Sequence, residues 1–225
     1  CGPLLRTSGQ LPQNRLLARG PRYRLNAEQI RDQALFVSGL LSDEMFGPSV
    51  MPPQPEGIWQ RPYNDTKWVT TARDRYRRGL YTFWRRTAPY PSMVTFDSPS
   101  REFCVSRRVR TNTPLQALVT LNDPVFVEAA QALARRMLDG QPAKSDAASV
   151  DAYLERGYRE ALQRVPDEAT LKVLRRLYAD ALVQYTQHRE ERDAMAGRHS
   201  QGPAEAALAI VANAILNLDA FVTKE

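Results

Sequence analysis

The fold of this chain is decided by residues 77–124, which read RRGLYTFWRRTAPYPSMVTFDSPSREFCVSRRVRTNTPLQALVTLNDP. The first part of this stretch mixes Arg, aromatic and Pro residues without a sustained helical period. Its end changes character, because Thr113 suits an N-cap, Pro114 suits the first helical position, and Asn122-Asp123-Pro124 repeats the arrangement at once. The stretch therefore predicts that an irregular segment meets a helical half at about residue 113.

Apolar residues recur at helical spacing through most of residues 113–225. Proline and glycine interrupt the pattern at intervals, as expected at helix ends. A polar break at 197–202 precedes a last, strongly apolar helix that Pro203 opens. The spacing predicts five helices, at about 113–121, 124–139, 150–165, 166–187 and 203–218.

The N-terminal half predicts less regular structure. We expect residues 1–25 to be an extended lead-in. The region 26–46 is expected to contain the first helix, at about 27–44, which begins at a capping box of Asn26 and Gln29. Residues 47–112 are rich in Pro, Arg and aromatic side chains, and the extended runs Leu80–Arg86 and Met93–Phe96 could pair as a two-stranded ribbon. The fold class expected for the single domain 1–225 is mainly α, with about six helices around an irregular insertion.

Composition excludes several kinds of protein. The mean hydropathy is -0.48, no run of eighteen apolar residues exists, and no signal peptide pattern stands at the start. The only histidines are His188 and His199, and there is no Cys-x-x-Cys-His run. We therefore predict no metal site and no haem or other cofactor on this chain. Of its two cysteines, we interpret Cys104 as buried and Cys1 as a terminal residue, although the two could pair.

The positive charge is concentrated in the middle of the chain. Residues 61–110 contain twelve basic and four acidic residues, against a net charge of +6 for the whole protein. Arg forks beside aromatic rings can bind acidic or sulfated polysaccharide, while the scarcity of Lys and the acidic helical half argue against a nucleic-acid partner. A ligand or partner surface is accordingly expected at Trp59, Tyr81, Trp84, Arg85, Arg86, Asp97, Arg101, Arg107, Arg108 and Arg110.

The same segment has candidate acid–base groups but no complete catalytic arrangement. Asp97 and Glu102 lie close in sequence to several arginines and could serve glycoside chemistry, or they could be ion pairs that fix an irregular loop. There is no nucleophile elbow, no phosphate-binding Gly loop and no His-containing metal spacing. The sequence favours a protein that is not an enzyme.

Two hypotheses for the arginines make different structural predictions. In the first, the arginines latch the irregular segment onto acidic helices and any exposed remainder docks another domain. In the second, Trp84 or Trp59 stands exposed beside unpaired arginines in a groove that binds polysaccharide. The arginines in question are Arg77, Arg78, Arg85, Arg86, Arg107, Arg108 and Arg110.

Ordered blocks along the chain resemble the Planctomycete domain-of-unknown-function family 1553. These blocks are Leu16–Leu35, Gly47–Trp59, Leu80–Pro124 and Ile215–Glu225. The resemblance implies an extracytoplasmic protein, periplasmic or secreted, in which a cytochrome-c-like module and another domain lie upstream and are the expected partners. Haem is expected only on that upstream module. Because such modules are missing here, the chain resembles a fragment or a shortened member, and the family has no activity to transfer.

Overall fold

The computed structural model describes residues 20, 22–55, 67–144, 146–197 and 202–224. Two short strands and nine α-helices follow one another within these ranges, with 3-10 turns at Asp74–Tyr76 and Gly79–Tyr81. In chain order the elements are β1 (Tyr23–Arg24), α1 (Ala27–Val37), α2 (Pro91–Thr95), α3 (Pro114–Asn122), α4 (Pro124–Leu138), α5 (Ala147–Leu162), α6 (Glu168–Gln187), α7 (Arg189–Ala196), α8 (Pro203–Leu216), α9 (Asp219–Val222) and β2 (Thr223–Lys224). The predicted mainly α class is confirmed.

The core is built around α8. This helix contacts α3, α4, α5, α6 and α7, and residues on all of its faces are buried. A helix that is apolar all round has to lie inside its domain, which explains the position. Alanines at Ala129, Ala130, Ala206 and Ala209 are fully buried and allow the backbones of α4 and α8 to approach closely.

Side-chain caps set the starts of several helices. Asp123, Asp146 and Asp167 each accept a backbone N–H of the first turn, at 3.0, 3.0 and 2.8 Å. At α1, Gln29 accepts the backbone N–H of Asn26 at 2.9 Å, as the predicted capping box requires. Thr113 does occupy the N-cap of α3, but its side chain makes no cap hydrogen bond. The predicted start of α3 is confirmed, and it forms without a side-chain cap.

The first helix is shorter than predicted. It ends at Val37 instead of about residue 44, because Gly39 takes a left-handed conformation (φ 75°). The backbone N–H groups of Leu40 and Leu41 then both turn back to the carbonyl of Leu35. A glycine in this conformation closes a helix, so the apolar residues beyond it do not extend α1.

The predicted ribbon between Leu80–Arg86 and Met93–Phe96 does not form. Its second half is α2, which Pro91 opens at the first helical position, and Thr82 instead forms an isolated parallel bridge with Val50. The chain does contain a two-stranded antiparallel sheet, but β1 and β2 form it, with Tyr23 opposite Lys224. This ribbon brings the two ends of the described chain together beside α9.

None of the helices in the described ranges has the length and apolarity needed to cross a bilayer.

Candidate docking surface

A buried arginine fixes the irregular segment to α1. Arg31 is almost inaccessible, and its guanidinium donates to the backbone oxygens of Arg77 (2.8 Å) and Arg75 (3.0 Å). Burial lowers the pKa of Arg31, while Tyr90 and the carboxylate of Asp123 act in the opposite direction. Since the ordinary pKa of arginine lies far above neutrality, the group stays charged. One side chain of α1 thus satisfies two carbonyls of a segment without regular structure.

The neighbouring residue of α1 anchors the next turn of the segment. The Oδ1 atom of Asp32 accepts the backbone N–H of Gly79 at 2.5 Å, and its Oδ2 atom lies 3.3 Å from Nε of Arg78. The 3-10 turn Gly79–Tyr81 therefore packs directly on α1. This close approach needs a residue without a side chain at position 79.

We expect Gly79→Ala to destabilise the protein by about 1–3 kcal/mol, the range for overpacking a tight contact. A Cβ atom at this position would lie 3.0 Å from Cα of Glu28 and 3.2 Å from its carbonyl oxygen, and backbone atoms cannot swing aside as a flexible side chain can. Chemical denaturation measures the free energy of unfolding. An unchanged or higher value would contradict the close packing, because Ala at an unstrained site raises stability through the unfolded state.

Three of the arginines that were expected to latch the segment do pair with carboxylates. Arg77 lies 3.3 Å from Glu44, Arg78 pairs with Asp32, and Arg108 makes a bidentate pair with Glu28 at 2.6 and 2.9 Å. Their partners lie on α1 and in the loop that follows it.

The acidic helical half supplies few of these partner carboxylates. Glu128 on α4 contributes one, accepting hydrogen bonds from Nε of Arg75 and from the hydroxyl of Tyr76.

The pairing with Arg108 changes the pKa of Glu28 on α1. Partial burial acts to raise the pKa of Glu28, but the hydrogen bonds and charge of Arg108 outweigh it and leave the pKa lowered.

Other predicted site arginines remain at the surface. Arg86, Arg101, Arg107 and Arg110 are exposed, and within the described ranges none has a carboxylate at salt-bridge distance. Arg85 is half-buried and has interactions of its own. The segment is therefore held by one set of arginines and presents another set to solvent.

The predicted aromatic platform is partly covered by its own chain. The guanidinium of Arg101 lies 5.6 Å from the ring centroid of Trp84, and the indole N–H donates to the backbone oxygen of Ser100 at 3.2 Å. Tyr81 is half-buried, with the guanidinium of Arg77 stacked 4.3 Å from its ring. Trp59 lies outside the described residues.

Asp97 has a structural environment. Its carboxylate accepts the backbone N–H of Thr111 at 2.7 Å and the hydroxyl of the same residue at 2.9 Å. Its own backbone is left-handed (φ 61°), a conformation that Asp tolerates better than most residues. Asp97 therefore fixes the irregular loop, and it does so through hydrogen bonds to Thr111. Glu102, the second candidate carboxylate, is exposed.

Helix α3 buries polar side chains and exposes apolar ones. Its fully buried residues are Gln116 and Thr120, each only 1% exposed, and Val119 is partly buried against the core. Leu115 and Leu118 are 58% and 54% exposed. The burial of Gln116 is explained by its hydrogen bonds, from Nη2 of Arg24 (2.7 Å) and to the backbone oxygen of Thr95 (3.0 Å).

The second buried polar residue of α3 is equally satisfied. The hydroxyl of Thr120 lies 2.5 Å from Oδ1 of Asn217. A polar network thus decides which face of α3 points inward and leaves its leucines in water.

The loop that precedes α3 also exposes apolar side chains. Phe103 and Val109 are 70% and 74% exposed, and Val105 is exposed as well. We call this set, Phe103, Val105, Val109, Leu115 and Leu118, the α3 surface. Arg101, Arg107 and Arg110 alternate with its loop residues. Exposed apolar side chains interspersed with arginines are typical of a protein–protein contact site.

Sequence reasoning found the rim but missed the apolar centre. Apolar residues stand at positions 115, 117, 118, 119 and 121, all around α3, so helical periodicity does not say which face is buried. Gln116 and Thr120, spaced by four, were the available signal of a polar stripe. The interpretation of Cys104 as buried is wrong, since its thiol is free and exposed in the same loop; Cys1 lies outside the described residues.

The described residues contain no group of three or more His, Cys, Asp or Glu side chains placed to hold a metal ion.

A family model, PSD1, described as a protein of unknown function (DUF1553), matches residues 6–178. The match includes α1, the irregular segment and α3 to α5, while the C-terminal block at 215–225 lies outside it. No curated protein and no solved structure matches the chain.

Proposed function

We propose that this chain, which belongs to the PSD1 (DUF1553) family of proteins of unknown function, is an interaction domain that docks another protein module through the α3 surface. The resemblance described above suggests the module, a cytochrome-c-like domain of the parent protein, and an extracytoplasmic location for both. On this proposal the chain itself carries no cofactor and catalyses no reaction. Its function is to hold a partner in place.

The inverted orientation of α3 carries the proposal. The three leucines exposed on α3, Leu115, Leu118 and Leu121, cost free energy in water, because apolar surface is more stable when it is buried. A covering partner recovers that free energy. The buried side of α3 is fully engaged by Gln116 and Thr120, so the helix does not need to rotate its leucines inward.

The rim indicates the chemistry of the partner. Arg101, Arg107 and Arg110 are exposed and alternate in sequence with the apolar loop residues, so we expect a complementary surface that is apolar with Asp and Glu at its edge. Such rim charges raise the rate of association and its dependence on salt more than the final affinity.

Polysaccharide binding by the aromatic platform is the second candidate. The stacking of Arg101 near Trp84 favours it, because the two groups together could bind a sugar face and an anionic substituent. Exposed leucines add nothing to such a site, which is why we place it second.

We expect Leu118→Lys to weaken binding of the separately expressed cytochrome-c-like module of a longer family member by at least about tenfold, because the substitution places a charge at the centre of an apolar contact. Val173→Lys is the matched control, since Val173 on α6 is also exposed but far from α3 in sequence. Biolayer interferometry at low and moderate salt measures both variants.

Three results would contradict the docking proposal in different ways. Absence of binding by the natural chain would remove this partner, and equal binding by the Leu118→Lys variant would move the contact elsewhere. Binding of sulfated or carboxylated polysaccharide that Trp84→Ala abolishes would put the second candidate first.

A further inference from the structure

Phe46 stands in a conformation that aromatic residues avoid. Its φ angle is 66°, in the left-handed region, and its side chain is 80% exposed. A bulky residue in this region stores strain, and an exposed phenyl ring recovers little of that free energy by burial. The arrangement therefore needs another reason.

The chain braces Phe46 in this position. Its backbone N–H donates to the hydroxyl of Tyr81 at 2.7 Å, and its backbone oxygen accepts Nη2 of Arg77 at 2.5 Å. Arg77 is itself buried, stacked on Tyr81 and 3.3 Å from Glu44, which also pairs with Arg73. Two buried or half-buried side chains thus hold the turn, and the phenyl ring projects from a rigid base.

A groove opens at Met45, the neighbour of Phe46 in the chain. Its volume is about 430 Å³, and its apolar wall comes from Phe36, Leu41 and Met45, the residue directly before Phe46. Two charged groups line it as well, Asp43 and Arg78. Asp43 is exposed and has no basic group at salt-bridge distance in the described part of the chain, while Arg78 contacts Asp32 through Nε only.

We propose that this face forms a twofold symmetric dimer, in which Phe46 of each protomer enters the groove of the other. A projecting ring next to an apolar groove is self-complementary under a twofold axis, because each copy offers both halves of the contact. The charges also favour a second copy of the chain as the partner, since Asp43 of one copy can pair with Arg78 of the other. A rigid aromatic residue that fills a pocket is also the usual centre of a tight interface. This inference is independent of the α3 surface and of the partner proposed for it.

Phe46→Asn separates self-association from stability. Asn tolerates the left-handed conformation, so at a protein concentration where the natural chain is monomeric the variant should melt at a thermal midpoint about 2–4 °C higher, as expected for the relief of modest strain in a domain of this size. The same variant should lower the dimer association constant, measured by sedimentation equilibrium of the full chain, by at least about tenfold. Phe103→Asn, at a ring of the α3 surface that is 70% exposed, is the control and should leave that constant unchanged.

Reversing one charge tests the orientation of the dimer. Asp43→Arg should also weaken association, because two arginines would then face each other across the axis. A natural chain that stays monomeric throughout the concentration range would overturn the proposal. So would a Phe46→Asn variant that dimerises normally, or one whose monomer melts at a lower temperature than the natural monomer, since the latter would show that the ring packs on its own chain.

Discussion

Arg31→Met should lower the free energy of unfolding by about 3–5 kcal/mol, the cost of removing one member of a buried charged network. The substitution leaves the carbonyls of Arg75 and Arg77 without their donor, and it removes a cation that interacts electrostatically with the buried carboxylate of Asp123. Because small domains are stable by only about 5–15 kcal/mol, this loss is a large share of the total. Denaturation by urea at neutral pH measures it.

Local unfolding of the Arg31→Met variant should begin in the irregular segment. Since Arg31 joins α1 to residues 73–82, amide exchange should accelerate there before it does in α8, which the core surrounds. Arg86→Met is the matched control, because Arg86 is exposed and a surface substitution changes stability by about 0.5 kcal/mol or less. A loss below about 1 kcal/mol for Arg31→Met would show that other contacts hold the segment.

Asp123→Asn should make the protein more stable at neutral pH and remove part of its pH dependence. Burial raises the pKa of Asp123 from 3.8 to about 6, although the backbone N–H of Val125 and the charge of Arg31 oppose the shift. The folded protein therefore keeps a proton that the unfolded chain releases between about pH 4 and pH 6. Over that interval the contribution of Asp123 to stability falls as the pH rises.

The size of the effect follows from the shift. A change of about 2 pKa units corresponds to about 3 kcal/mol, present in full below the unfolded pKa and lost once the pH exceeds the folded one. Asn at position 123 keeps an oxygen that can cap Val125 but carries no charge. The variant should thus exceed the natural protein in stability at pH 7, and the difference should vanish near pH 4.

Asp146→Asn provides a control in which the change in stability with pH should have the opposite sign. Asp146 caps α5 as Asp123 caps α4, but its carboxyl is exposed and hydrogen bonds from Ser149 lower its pKa. Here the natural aspartate should be the more stable form at neutral pH, and its advantage should disappear on acidification. If the two variants showed the same pH dependence, the burial of Asp123 would not be its cause.

Much of the architecture could be predicted from local signals. The Pro, Asp and Gly residues at helix ends located α3, α4, α5, α6 and α8 to within a few residues, because these residue types act on the backbone next to them. The helix α7 was not predicted. Its sequence REERDAMA is mostly charged and only Ala196 is buried, so it has no apolar stripe to detect.

The candidate surfaces were predictable only in part. The charge of residues 61–110 pointed to an arginine-rich rim, since charge is additive along a sequence. Which arginines are buried was not predictable, because Arg31 and Arg77 differ from exposed arginines only in what the distant chain places around them. Phe46 likewise carries no local signal of its conformation apart from Gly47, which follows it.

The sequence by itself determined the helical class, the helix ends and the concentration of positive charge, all of which depend on residues within a few positions of one another. Tertiary structure alone decided that the ribbon joins β1 to β2 and that α3 turns Gln116 inward and its leucines outward. The physical reason is that both depend on partners far away in sequence. Arg24 and Asn217 satisfy the polar face of α3 from opposite ends of the chain, and no periodicity within α3 records them.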